Sequence, residues 1–243
     1  QLNEAQRAVV RENNLETAYI RPLVFYGSEG MGIRADNLKV HVAIAAWHWG
    51  AYMGEEALER GIKIRTSSFT RHHVNITMTR AKASGAYMNS MLALQEAVSA
   101  GADEALLLDP EGYVAEGSGE NVFIVKNGTI YTPEVTACLN GITRATVLAL
   151  ASQFNIPVVE KRITRDEVYI ADEAFFTGTA AEVTPIRSID DKTTRAAGAG
   201  PVTKLLMDRF FGLFEGRTQD DWGWLEPVNA QAQETGNDNA VAV

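Results

Sequence analysis

Asn127-Gly128 stands between two β-prone runs, Asn121–Lys126 and Thr129–Thr132. A two-residue turn between antiparallel strands needs positive φ at both positions, and Asn-Gly supplies it at least cost. A β-hairpin is therefore expected near the middle of the chain. Tyr19–Tyr26, Val40–Ala46, Lys63–Phe69, Ala105–Leu108, Pro157–Ile163 and Glu173–Thr177 also read as strands. Pro22 has no N–H for a ladder, so it points to an edge or an irregularity. Residues 5–14 read as a helix. Helical spacing recurs at Met88, Met91, Leu92 and Gln95, with Gly101 as a stop, and at Val147, Leu150, Ala151 and Phe154. It returns in Val202, Leu205, Leu206, Phe210 and Leu213, after Gly200-Pro201. Hairpins and helices mix without steady strand–helix alternation, which predicts an α+β fold.

The Glu55–Gly61 stretch is the candidate boundary between two domains. Residues 1–56 form a small N-terminal domain in this reading, 57–60 a linker and 61–228 a larger domain. From Asn229 onward the chain is polar and short of bulky residues, which predicts a disordered tail over 229–243.

Net charge is −9, and no basic stripe offers a footprint for nucleic acid. No apolar run is long enough to span a bilayer, and no charged-then-apolar start suggests a signal peptide. Cys138 is the one cysteine, so no intramolecular disulfide can form, which fits a reducing cytoplasm. His72-His73 lacks ligand spacing and gives no metal site.

Three signatures carry chemistry. Lys82-Ala83-Ser84-Gly85 is followed by Tyr87; Glu116-Gly117-Ser118-Gly119-Glu120-Asn121 is rich in glycine; Gly178 to Pro185 contains the small-residue turn Thr179-Ala180-Ala181. A lysine, a phenol, an acid and two small-residue turns suit pyridoxal phosphate (PLP). That cofactor needs an amine for its aldehyde, a carboxylate for its ring nitrogen and backbone N–H groups for its phosphate. Gly141-Ile142-Thr143 opens an amphipathic helix, where N–H groups lack internal partners. Each feature also has a plain structural reading. Lys82 can be a surface lysine, Glu116 a solvated turn carboxylate, Thr143 a simple N-cap, and Thr179-Ala180-Ala181 a tight connection from strand to helix.

Taken in order, these residues resemble the class IV (fold-type IV) PLP transaminases, specifically the bacterial branched-chain amino-acid aminotransferases. The likeness runs from about Asn14 to Val228. It includes Ala18 through Leu23, Trp49-Gly50-Ala51-Tyr52, Gly141-Ile142-Thr143-Arg144 and Trp222-Gly223-Trp224-Leu225. It implies a two-domain fold whose larger domain has a β-barrel-like sheet. Lys82 would form the Schiff base and shuttle the proton, Glu116 pair with the pyridine nitrogen, and Tyr87 meet the ring's phenolic oxygen. Ile142, Thr143 and Thr179 would hold the phosphate. Tyr19 and the Thr179-Ala180 turn would take the substrate α-carboxylate, and Arg21 the distal carboxylate of glutamate. Met31 and Trp49 would wall an apolar pocket for leucine, isoleucine or valine. The implied reaction is ping-pong transamination with 2-oxoglutarate in a cytoplasmic homo-oligomer. D-amino-acid transaminase and aminodeoxychorismate lyase are the alternatives within the class.

The chain opens Gln1-Leu2-Asn3-Glu4, without Met and inside a running helix, and reads as N-terminally truncated. By the resemblance, the missing stretch carries early strands, pocket aromatics and a phosphate-binding arginine. A weakly active or inactive fragment is therefore the expectation for this chain, beside an active parent enzyme.

Overall fold

The structure, a computed structural model, describes residues 1–50 and 52–228. The predicted tail at 229–243 lies outside the described residues. Two compact units emerge. One holds 1–50 together with the segment from Trp222 to Val228, and the other runs from Tyr52 to Asp221.

In the smaller unit, α1 (Leu2–Glu12) accompanies a two-stranded antiparallel sheet of β1 (Tyr19–Tyr26) and β2 (Val40–Trp47). The register runs from Tyr19 opposite Trp47 to Tyr26 opposite Val40. Both strands of such a sheet are edges, so Pro22 is tolerated in β1. The segment after Trp222, read from sequence as part of the larger domain, is tied instead to α1. Arg7 pairs with Glu226, and Arg11 Nη1 donates to the Val228 carbonyl at 2.7 Å.

The larger unit is built on a nine-stranded mixed sheet. Its strands are β3 (Ile62–Thr66), β4 (Glu104–Leu108), β5 (Val114–Gly117), β6 (Asn121–Lys126), β7 (Thr129–Thr132), β8 (Val158–Glu160), β9 (Glu173–Gly178), β10 (Glu182–Ile189) and β11 (Lys192–Thr193). The order is β5-β4-β3-β10-β9-β6-β7-β8, with β11 paired to β10. Its helices are α2 (Glu55–Arg60), α3 (Tyr87–Ser99), α4 (Ile142–Gln153), α5 (Arg165–Tyr169) and α6 (Pro201–Phe214). The mixture is α+β, as the sequence predicts.

The hairpin forms at Asn127 (φ 50°) and Gly128 (φ 76°), closing β6 on β7. Residues 57–60, read as a linker, lie in α2. Ala57 is buried in the core of the larger unit with Ile62, Ile186 and Ile189, so α2 belongs to that unit. The segment after Thr179 does not enter a helix. It turns into β10, which pairs antiparallel with β9 through Pro185 and parallel with β3 from Ile186. The exchange of partners falls where proline has no N–H to donate. Phe123 and Phe175 stack in the core with centroids 4.9 Å apart.

Glu173, buried at the start of β9, reaches the first turn of α6. Its carboxylate accepts from the Val202 N–H at 3.1 Å, the Thr203 N–H at 2.8 Å and the Thr203 hydroxyl at 2.7 Å. An anion there satisfies orphan donors and suits the helix dipole. Glu173→Ala should therefore cost about 2–3 kcal/mol of stability, read as a lower midpoint in urea; an unchanged midpoint contradicts this role.

Candidate active site

Lys82, Tyr87 and Glu116 line one cavity of the larger unit. Lys82 lies just before a 3-10 turn at Ser84–Ala86 that runs directly into α3. That turn brings the amine back over the helix start, where Lys82 Nζ donates to Tyr87 Oη at 2.6 Å. Lys82 itself is exposed, which leaves its amine accessible.

Glu116 does not sit in a solvated turn. It is a buried residue of β5, paired with Leu107 of β4, and the glycine-rich turn begins after it at Ser118. Oε1 lies 2.7 Å from Arg71 Nε, an ion pair without the alignment of a hydrogen bond. Oε2 accepts from the Leu139 N–H at 3.0 Å. Burial pushes the Glu116 carboxyl up from its usual range, while Arg71, the Leu139 N–H and Lys82 pull it down. Gly117 is required next to it: a Cβ there would stand 2.6 Å from Glu120 Oε2 and 3.1 Å from the Phe176 ring.

Two further acids surround this point. Glu120 lines the cavity, and its Oε2 accepts from the Gly119 N–H at 3.0 Å. Glu104 of β4 is buried with its Oε2 unpartnered. Burial pushes Glu104 upward. Burial, followed by the charge of Glu104, raises Glu120 to about 8. Both are therefore neutral acids at pH 7, and Glu116 carries the cavity's negative charge.

The Leu139 contact also sets the start of α4. Asn121 Nδ2 donates to the Leu139 carbonyl at 2.8 Å, and the Gly141 N–H donates to the same oxygen at 3.0 Å. Gly141 then opens the helix, with Thr143 buried and Ile142 exposed in its first turn. Gly141 supplies no side-chain cap, so the leading N–H groups remain available to an anion. Thr179 and Ala180 form the turn between β9 and β10. The preceding Gly178 packs against Glu120 and the Gly119 carbonyl, which brings that turn beside the same wall. Cys138 is buried, and burial with the Glu116 charge pushes its thiol up to about 12, leaving it unreactive.

The remaining predicted residues belong to the smaller unit. Tyr19, Arg21 and Trp49 cluster there, with the Tyr19 and Trp49 ring centroids 4.7 Å apart. Met31 is fully exposed in the loop between β1 and β2, outside that cluster. Sequence reasoning missed Arg71, Glu104 and the part played by Glu120. Glu120 stood in plain view within the glycine-rich signature. Arg71 has no local signal, because its partner lies 45 residues away in the chain, from position 71 to 116.

Among the described residues no cluster of histidine, cysteine and carboxylate could hold a metal, and no helix is long and apolar enough to cross a membrane. The amino-transferase class IV family model matches residues 1–189, and the chain belongs to that family. Within it the chain is similar to branched-chain-amino-acid aminotransferases. The Pseudomonas aeruginosa enzyme of that name is 73% identical over 224 residues, covering 92% of this chain and 73% of the relative. The crystal structure of the Escherichia coli branched-chain amino acid aminotransferase matches with TM-score 0.92 and 48% identity, over 94% of this chain and 76% of that one. A thermophile's branched-chain amino acid aminotransferase, complexed with N-(5'-phosphopyridoxyl)-L-glutamate, matches with TM-score 0.86 and 45% identity, over 94% and 74%.

Neutral Glu120 has a measurable consequence. Its folded value near 8 lies above the ordinary 4.5, so between these values the native state binds more protons than the unfolded chain. Stability then falls as pH rises through that window. Glu120→Gln should flatten the denaturation profile between about pH 5 and 8 and stabilise the protein most at the alkaline end. Parallel profiles for the two proteins count against a neutral Glu120.

Proposed function

We propose that this chain, with PLP bound, transfers amino groups between leucine, isoleucine or valine and 2-oxoglutarate by a ping-pong mechanism. The carrying observation is the shared cavity of Lys82, Tyr87 and Glu116, with the amine and phenol 2.6 Å apart and the acid buried on Arg71. Family membership and the relatives' names support the reaction and its substrates. The phosphopyridoxyl-glutamate bound to the thermophile's relative supports both the cofactor and glutamate as amino donor.

The residues fit PLP. A buried acid faces a cavity that also carries an accessible amine and a phenol, and an uncapped helix N-terminus is tied to that acid through Leu139. When bound, PLP supplies an aldehyde and an electron-withdrawing ring that acidifies the substrate Cα–H.

Lys82 is the catalytic residue in this reading. Its Nζ provides the attachment point and then accepts and returns the Cα proton. Tyr87 orients that amine and donates to the ring's phenolic oxygen. Glu116 holds the ring nitrogen, with Arg71 fixing the carboxyl. Ile142 and Thr143 bind the phosphate through α4, aided by Thr179. Tyr19 and the Thr179-Ala180 turn receive the α-carboxylate. Trp49 and Met31 wall the side-chain pocket, and Arg21 meets the distal carboxylate of glutamate. We further infer a homo-oligomer, supported by the exposed stripe Met88, Met91, Leu92 and Val98 on α3. A cytoplasmic setting is supported by the lone, buried Cys138.

Assays of leucine with 2-oxoglutarate, beside D-alanine, test the reading. Leucine should turn over and D-alanine should not; the reverse preference points to another class IV activity. Lys82→Ala should abolish multiple turnover while the fold persists. Sustained leucine transamination by that variant defeats the role given to Lys82.

A further inference from the structure

The antiparallel register of β1 and β2 puts Tyr19 opposite Trp47 and Arg21 opposite Ala45. Alternate residues of a strand share a face, so Tyr19, Arg21, Ala45 and Trp47 lie on one side of the sheet. Trp49 follows two residues after Trp47. The three rings pack on one another. Tyr19 and Trp47 centroids are 5.1 Å apart, Trp47 and Trp49 5.3 Å, and Tyr19 and Trp49 4.7 Å. The Arg21 guanidinium carbon lies 5.2 Å from the Tyr19 centroid, 5.3 Å from Trp47 and 5.8 Å from Trp49. Across the ladder, Ala45 is small enough to leave that space open.

Ion pairs engage many arginines of this chain, including Arg7, Arg60 and Arg162. Among the described residues no carboxylate pairs with Arg21. Ring faces hold a cation by electrostatic attraction without consuming its N–H groups. The guanidinium is thus steadied while its donor edge remains free for a two-pronged bond to a carboxylate.

We propose that Trp47 is a specificity-determining positioning residue. It holds Arg21 for substrates bearing a second carboxylate and leaves the aliphatic substrates unaffected. This rests on the reading in which Arg21 receives the distal carboxylate of glutamate and 2-oxoglutarate. Tyr19 and Trp49 are both given direct substrate contacts in that reading. Trp47 acts through Arg21, as the aromatic directly across from Tyr19.

The test compares Trp47→Leu, Trp47→Phe and Arg21→Ala in the PLP-loaded protein. Initial rates are measured with 2-oxoglutarate varied and, separately, with 4-methyl-2-oxopentanoate varied. Equilibrium binding of glutarate and of 4-methylvalerate is followed alongside. Trp47→Leu keeps apolar bulk but removes the ring face. It should raise the 2-oxoglutarate KM and the glutarate Kd by about tenfold, as expected for losing a well-placed cation–ring contact. The kcat and both aliphatic constants should change by less than about twofold. Trp47→Phe should retain most of the wild-type discrimination. Equal losses for both substrate types, or equal behaviour of the Trp47→Leu and Trp47→Phe variants, overturn the role of Trp47. If Arg21→Ala discriminates and Trp47→Leu does not, the Trp47 proposal alone fails. If Arg21→Ala leaves the dicarboxylate constants unchanged, the reading of Arg21 fails and the Trp47 proposal falls with it.

Discussion

A carboxylate taken out of water is costly unless charge and hydrogen bonds replace its hydration. Glu116 meets that condition with two partners from distant parts of the chain. Arg71 comes from the loop after β3, and the Leu139 N–H comes from the segment that leads into α4. Satisfying one acid therefore fixes two other segments. β5 presents the carboxyl, the Arg71 loop closes one side, and the Leu139 segment sets where α4 begins. Asn121, at the start of β6, secures the same segment through the Leu139 carbonyl. The cavity wall and the anion-ready helix terminus are consequences of solving one desolvation problem.

Charge around this point follows the same logic. The whole chain is acidic, at −9. Three buried acids, Glu104, Glu116 and Glu120, gather near only two cations, Lys82 and Arg71. With Glu104 and Glu120 neutral, one anion faces two cations and the local balance is positive. A locally positive cavity in an acidic protein suits a phosphate and carboxylate substrates, because short-range fields outweigh distant, screened surface charge.

Much of this fold was legible in the sequence because its signals are local. Asn127-Gly128 marks the hairpin by its backbone requirement, and the spacing of Val147, Leu150 and Ala151 marks α4. β10 was not legible, since its small residues and Pro185 suggest a connection. Its strand character comes from two neighbours, β9 and β3, that change over where the N–H is missing. α5 is too short for a helical period to appear, although Thr164 and Glu167 have capping-box spacing, and the Glu167 carboxylate accepts from the Thr164 N–H at 3.0 Å. In the site, the resemblance picked out Lys82, Tyr87 and Glu116, and the fold brings them to one cavity. Arg71 and Glu104 act through partners remote in sequence, so no motif announces them. The small unit's boundary was misread for the same reason: the Arg7 and Arg11 contacts to residues 226 and 228 span nearly the whole chain.

The central claim is that the amine at position 82 is the covalent attachment point of a PLP site whose buried acid is Glu116. The direct measurement is borohydride reduction of the PLP-loaded protein, followed by peptide mass spectrometry. The account predicts a pyridoxyl group on Lys82 alone, and a marked loss of the visible cofactor band in Glu116→Ala. A label on another lysine, or no label at saturating PLP, contradicts it.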